Sequence, residues 1–269
     1  MGTEHVFLDI QVRSLAVLVT FNGVPIMREQ VIGGVSRANR LNGWVVSGAN
    51  GLQAHLAALS PPPAPVPGRP APADSPPPRR EPYFRLSLRA GPAGPPAALR
   101  TLFDYEWDPE LQPLTPGATT AAISTSVVLA PVAAWTWAAA NPVPQLAPAD
   151  AREIRAVLSQ LHQALLTGAI NETIRLQRVQ IQELSVAVGE DPVVQVTEYQ
   201  SFLAGRLAAS WSVDPLRPEL LQYIPVAGAR LHHVQGPQAQ PAILARSALG
   251  LFAIDPYFAK LGGRWIIVR

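Results

Sequence analysis

His232 and His233 are adjacent in a stretch whose alternation predicts a strand, so their rings should point to opposite faces and cannot share a metal. No His-x-x-x-His pair, nucleophile elbow or Walker loop occurs. Gly33-Gly34-Val35-Ser36 lacks the trailing glycine and following helix of a dinucleotide fingerprint. The chain has no cysteine, which excludes a thiolate nucleophile, a disulfide framework and cysteine-ligated metal. Asn171-Glu172-Thr173 matches a glycosylation sequon and is read as coincidence in a cytoplasmic chain. Acid–base chemistry would need a carboxylate or histidine whose pKa is moved by an apolar wall. Tyr199, Tyr223, His232, Arg246, Asp255 and Tyr257 are suitable types, yet no spacing sets a base opposite a donor. The sequence therefore predicts no catalytic residue, no metal site and no cofactor.

Recognition is better supplied. Phe103, Tyr105 and Trp107 alternate with Asp104, Glu106 and Asp108, giving a strand with one aromatic and one acidic face. The aromatic face reads as core with the acids in water; sugar stacking or an interface hot spot is the alternative. Trp135 and Trp137 form a second such pair. A strand over Ala242–Ile254 sends Leu244, Arg246, Ala248 and Phe252 to one face. Ile243, Ala245, Ser247, Leu249 and Leu251 then turn toward helices. Arg246 on the outer face could take a partner's carboxylate in a bidentate contact. Arg246, His232, Trp135 and Trp137 are thus the expected partner-binding residues.

These side chains need elements to carry them. In the first half, strands are expected at His5–Val12, Leu15–Phe21, Trp44–Val46, Leu52–Leu59, Tyr83–Arg89 and Thr101–Trp107, with Asn22-Gly23 as a hairpin turn. Residues 60–82 hold 11 of the 29 prolines, too few backbone donors for a central strand, and read as an extended connector. From Leu111 to Ala149 no residue is charged. Ala121–Ala140 is nonetheless poor in leucine, broken by Pro131 and without basic flanks, so two strands, Ala121–Ala130 and Ala133–Ala139, are expected in place of a membrane span. Asn141–Ala149 reads as a linker. Beyond it, Asp150 and Glu153 have capping-box spacing before the stripe Ile154, Val157, Leu158, Leu161 and Leu165, which Gly168 stops. Asn171 opens a second helix with Ile174, Ile181, Leu184 and Val188, ended by Gly189. Asp191-Pro192 opens a third, striped by Val196, Tyr199, Leu203 and Leu207. Strands follow at Leu221–Val226, Arg230–Val234, Ala242–Ile254 and Arg264–Val268.

The helices-then-strands order, closing on Gly262-Gly263-Arg264-Trp265-Ile266-Ile267-Val268-Arg269, resembles the nuclear transport factor / ketosteroid isomerase-like superfamily over residues 148–269. That resemblance implies a curved sheet wrapped around helices as a cone with an internal pocket. In isomerases of that superfamily, a buried Asp base works with Tyr and acid donors. Asn42-Gly43-Trp44-Val45-Val46-Ser47-Gly48-Ala49-Asn50-Gly51-Leu52 is similar to a strand–turn–strand phrase of jelly-roll carbohydrate-binding sandwiches.

The fold class expected is two-domain. An all-β sandwich, residues 1–140 with the proline-rich insertion at 60–82, precedes an α+β domain, 150–269, of helices followed by a curved antiparallel sheet. Charge is nearly balanced, 21 basic against 19 acidic residues, and all the basic ones but Lys260 are arginine. No basic cluster is interleaved with aromatics, which argues against nucleic acid as partner. The N-terminus has no basic and apolar signal regions, and a cytoplasmic location is expected. The function expected is non-enzymatic protein binding, for example a bacterial immunity or accessory protein holding a toxin or secretion-system partner. A small-molecule binder or isomerase using a C-terminal pocket is the second alternative, and a carbohydrate-binding module the third.

Overall fold

The computed structural model describes residues 4–59, 81–92, 99–115, 118–129 and 133–269. Among the described residues the fold is mostly β, with four α-helices, all in the C-terminal half, and curled antiparallel sheets. Contacts divide it into two compact units, Met1–Val132 and Ala133–Arg269.

In the first unit the expected strands His5–Val12 and Leu15–Phe21 are one strand, β1 (His5–Phe21). Residues 6, 8, 10 and 12 are buried up to Ser14, and residues 15, 17, 19 and 21 after it. Ser14 takes a left-handed φ of 53° at a register shift, and its hydroxyl bonds to the Ile32 carbonyl at 3.2 Å. The inserted residue advances the pleat by one, so both halves of β1 face the same core. One edge of β1 pairs throughout with β2 (Val24–Arg40), across the Asn22-Gly23 turn with φ of 52° and 74°. The other edge serves two strands end to end: β3 (Gly48–Ala58) pairs with residues 15–21, and β4 (Tyr83–Gly91) with residues 5–13. β5 (Arg100–Glu106) extends from β4, and β6 (Thr119–Leu129) from β3. Leu8, Ile10, Phe21, Leu52, Phe84 and Leu86 meet in a single core. Each such burial contributes roughly 1.5–3 kcal/mol. β2 was not expected; its polar, glycine-bearing second half hides the alternation. Residues 60–80 of the proline-rich connector lie outside the described residues.

In the second unit, α1 (Pro148–Leu166) buries Ile154, Leu158, Leu161 and Leu165 against Val234, Phe258 and Trp265. The expected capping box is replaced by Pro148 at the first helical position. Asp150 and Glu153 are used elsewhere: Asp150 accepts from Lys260 Nζ at 2.7 Å and Trp265 Nε1 at 2.9 Å, and Glu153 from the Trp265 amide at 3.0 Å. The two carboxylates tie the helix to the sheet. The expected second helix is two, α2 (Ile170–Leu176) and α3 (Arg178–Val188), because Gln177 leaves helical geometry. α4 (Pro192–Leu207) starts as expected, with the Asp191 side chain capping the Val193 amide at 2.8 Å.

Two sheets complete this unit. One runs β11-β10-β7, from β7 (Ser212–Val213), β10 (Ile243–Ser247) and β11 (Gly250–Ile254). The other runs β13-β12-β9-β8, from β8 (Gln222–Val226), β9 (Leu231–Gln235), β12 (Tyr257–Leu261) and β13 (Arg264–Ile267). The single strand expected over Ala242–Ile254 is therefore a hairpin, reversing at Ala248-Leu249 with Gly250 at φ 105°. The strand expected at Ala133–Ala139 contains a 3-10 turn, Thr136–Ala139, and the expected linker at 141–149 packs into the second unit through Val143 and Leu146. Among the described residues, no helix is long and apolar enough to cross a membrane.

Candidate functional site

Of the four expected partner-binding residues, only Arg246 reaches solvent. Trp135, Trp137 and His232 are 3%, 2% and 1% exposed. Trp135 lies under the Arg269 guanidinium at 4.9 Å. Arg269 in turn pairs with Glu183 of α3, whose other oxygen accepts the Thr136 amide at 2.6 Å and is also bonded by the Thr136 hydroxyl. The strand pattern fails at 133–139 because this buried carboxylate holds a turn there. The His232 Nε2 lies 2.8 Å from the Val143 carbonyl, which can only accept, so this nitrogen carries the proton. Burial lowers the His232 pKa and keeps the ring neutral, edge-on to Trp265. Arg246 makes the expected bidentate contact, but to this chain's own Asp214, at 3.3 and 2.9 Å.

The expected aromatic strand is β5. Phe103 and Tyr105 pack on the core and Trp107 is 5% exposed, while Asp104 is exposed and bonds Arg85 at 2.8 Å. Phe103 and Tyr105 are half-buried there and Trp107 is enclosed. The histidine pair does split between faces: His233 turns away from His232, lies against Tyr257 with ring centroids 4.2 Å apart, and sets its Nε2 2.7 Å from Asp255 Oδ1.

Asp255 marks the end of a groove of about 260 Å³. Its walls are α3, carrying Gln180, Ile181 and Leu184, with Gln177 just before it; α4, carrying Gln195 and Tyr199; and residues 252–255 at the end of β11. The Tyr199 hydroxyl donates to Gln177 Oε1 at 2.9 Å, and Gln177 Nε2 reaches Gln180 Oε1 at 3.2 Å. Burial pushes the Tyr199 phenol up to about 12, so it stays protonated and acts as a donor. Gln195 Nε2 donates to Glu198 at 3.0 Å and to Glu190. Tyr199 stacks on Phe202, which meets Phe252, which meets Trp211, at centroid separations of 6.1, 5.5 and 5.8 Å.

The third wall is a sheet edge. β11 ends its sheet, and among the described residues no strand pairs with its outer side. The Leu244 carbonyl points away from β11, accepting the Asp214 amide at 2.8 Å. Residues opposite one another in an antiparallel pair either both bond inward or both face outward, so Ala253, opposite Leu244, turns its N–H and C=O out from the sheet. Ala253 lines the groove.

Chemically, the groove sets amide and phenol groups and one carboxylate against an apolar wall. No Ser, Thr or Cys stands among the groove residues to act as a nucleophile. The Asp–His pair is also inverted relative to a hydrolytic triad, with the imidazole 4% and the carboxylate 45% exposed. Sequence reasoning named Tyr199 and Asp255 but not the three glutamines. Glutamine is common on solvated helix faces, and only the break at Gln177 turns that one inward. Comparison with known protein families, curated proteins and solved structures finds no match.

Proposed function

We propose that this chain is a non-enzymatic binding protein whose partner is another protein, held on the face formed by α3, α4 and the β10–β11 hairpin. The carrying observation is where apolar side chains remain exposed. Seven of the nine large exposed apolar residues of the second unit (Leu184, Val186, Val193, Val194, Phe202, Leu249 and Leu251) lie on those elements. Leu249 and Leu251 are 63% and 60% exposed. Leu184 lines the groove, and Leu249 and Leu251 stand on the hairpin that supplies its third wall; exposed apolar side chains at such a groove favour an interaction surface. Aromatic anchors beside them, here Phe202 and Phe252, are the residue types that carry interface energy.

The size of the groove argues in the same direction, being below the roughly 300–1,000 Å³ usual for small-molecule sites. A depression of about 870 Å³ between α2 and α4 is larger, but its polar groups satisfy one another: Glu172 with Arg175, and Asn171 with Gln200. An immunity or accessory protein that holds a toxin or secretion-system component is one class that works by such a surface. The jelly-roll likeness of the first unit and the cone likeness of the second belong to the same proposal. An isomerase would use the cone's interior; here Ile154, Leu158, Val234, Phe258 and Trp265 pack between α1 and the strands.

The test is a display screen of protein fragments against the full chain, with Leu251→Glu as counter-target. Clones that bind the parent and lose at least tenfold on the variant support the proposal. A screen with no binders, or with binders indifferent to Leu251, overturns it.

A further inference from the structure

We propose that the outer edge of β11 receives an extended polypeptide segment as an added strand, and that an Arg or Lys side chain of this segment pairs with Asp255. The inference rests on the protein-binding proposal above and specifies its partner and its geometry.

The edge supplies the main-chain half of the contact. Ala253 presents one donor and one acceptor into the groove, which is what an incoming strand needs to bond. Arg206 blocks the turn end of the same edge, donating to the Gly250 and Leu251 carbonyls at 2.8 and 3.3 Å. Pairing is thereby directed to residues 252–255, alongside the groove. A groove of about 260 Å³ suits one or two side chains, which alternate on and off the protein along an added strand.

Charge selects the occupant. No lysine or arginine lines the groove, whereas Asp255 does, its carboxylate 45% exposed with one oxygen 2.7 Å from His233 Nε2. Glu190 and Glu198 stand behind Gln195. A cationic side chain is complementary to this set and an acidic one is opposed by it. Leu184, Ile181 and Phe252 supply apolar wall for the stem of a long cationic side chain.

The experiment uses the full chain and two fluorescein-labelled peptides, Thr-Val-Arg-Val-Thr and its twin with Glu in place of Arg, read by fluorescence anisotropy. The arginine peptide is expected to bind at least tenfold more tightly, and Asp255→Asn to abolish that preference. Ala253→Pro removes only an outward N–H, so it should leave the β10–β11 pair intact and weaken the arginine peptide at least tenfold. If that variant unfolds, backbone N-methylation of the peptide tests the same hydrogen bonds on the unaltered protein. Slowed exchange of the Ala253 amide in the complex is the direct signature. Equal binding of the two peptides, an Asp255→Asn variant that keeps the preference, or tolerance of N-methylation overturns the strand-addition proposal. If fragments from the display screen still depend on Leu251 in that case, protein binding stands without it.

Discussion

The two units satisfy their buried polar atoms by different means. The first uses neutral amides at turns. Asn22 donates to the Trp44 carbonyl and to Asn50 Oδ1 at 2.7 and 2.8 Å. Asn50 accepts the Val46 amide and donates to the Val46 and Gly48 carbonyls. Asn42 accepts the Val6 amide and donates to the Glu4 carbonyl. The second unit buries an ion pair: Glu183 and Arg269 are 9% and 4% exposed, whereas the pair Arg89–Asp9 of the first unit keeps 33% and 20% of its side chains in solvent. An amide network responds little to pH and resists loss of any one bond. A buried ion pair is indispensable once built, because either partner alone is stranded without water.

The strongest test of that contrast is Glu183→Ala. It leaves Arg269 buried and uncompensated and should cost about 3–5 kcal/mol, with hydrogen-exchange protection lost in β12–β13 and kept in β1 and β4. The double variant Glu183→Leu/Arg269→Met should recover most of the loss, and a double variant as unstable as the single would show that packing, not charge, is at stake. Asn50→Ala is expected to cost about 1–3 kcal/mol in denaturant unfolding, since it orphans a backbone amide and two carbonyls at one turn. A cost near zero would mean that the turn rearranges freely.

Acid should weaken the second unit in two stages. His232 has its pKa lowered by burial, so the unfolded chain takes up the proton first; its contribution is complete above the unfolded value of about 6.5 and declines as pH falls below it. Asp150 is held below the usual carboxylate range by its hydrogen bonds to Lys260 and then Trp265, so its contribution is present above about pH 4 and lost as pH falls further. In the first unit burial, and then Arg40, lowers the pKa of His5, and the hydrogen bond from Arg85 holds the exposed Asp104 below the usual carboxylate range, so both stages are shared and the second is screened by solvent there. Unfolding midpoints between pH 3 and 8 check this, and an unchanged slope between pH 5 and 6.5 in His232→Gln would remove that residue from the account. The smallest effect expected is that of Asp104→Ala. Its pair with Arg85 is exposed on both sides, so the change should stay within about 0.5 kcal/mol by thermal unfolding.

Alternation made most of the elements legible in the sequence. β1, β4, β5 and β6 follow period two, α1 and α4 follow the helical stripe, and Asn22-Gly23, Gly168 and Gly189 mark their stops. What was hidden depended on distant partners. Asp150 and Glu153 have the spacing of a local cap, yet they bond residues more than a hundred positions away. The hairpin inside Ala242–Ile254 has no Asn-Gly signal; only Ser247, whose hydroxyl accepts the Leu249 amide at 3.2 Å, and Gly250 mark the reversal. That hairpin decides the candidate site, because it sends Leu249 and Leu251 to the surface where an unbroken strand would turn them inward.

The bulge at Ser14 also bears on how the chain could be rewired. Register places Ala58, at the end of β3, beside Leu15, and Tyr83, at the start of β4, beside Arg13. Two positions on one strand are separated by only about 7 Å, so the connection from 59 to 82 joins points that are nearly neighbours. Its length is not set by any distance it must bridge, and loop closure changes by only about 0.6 kcal/mol per doubling. The first unit therefore carries a built-in insertion port. Sequence could be added or deleted there, or the backbone opened to create new termini, while every strand pairing of β1 is retained.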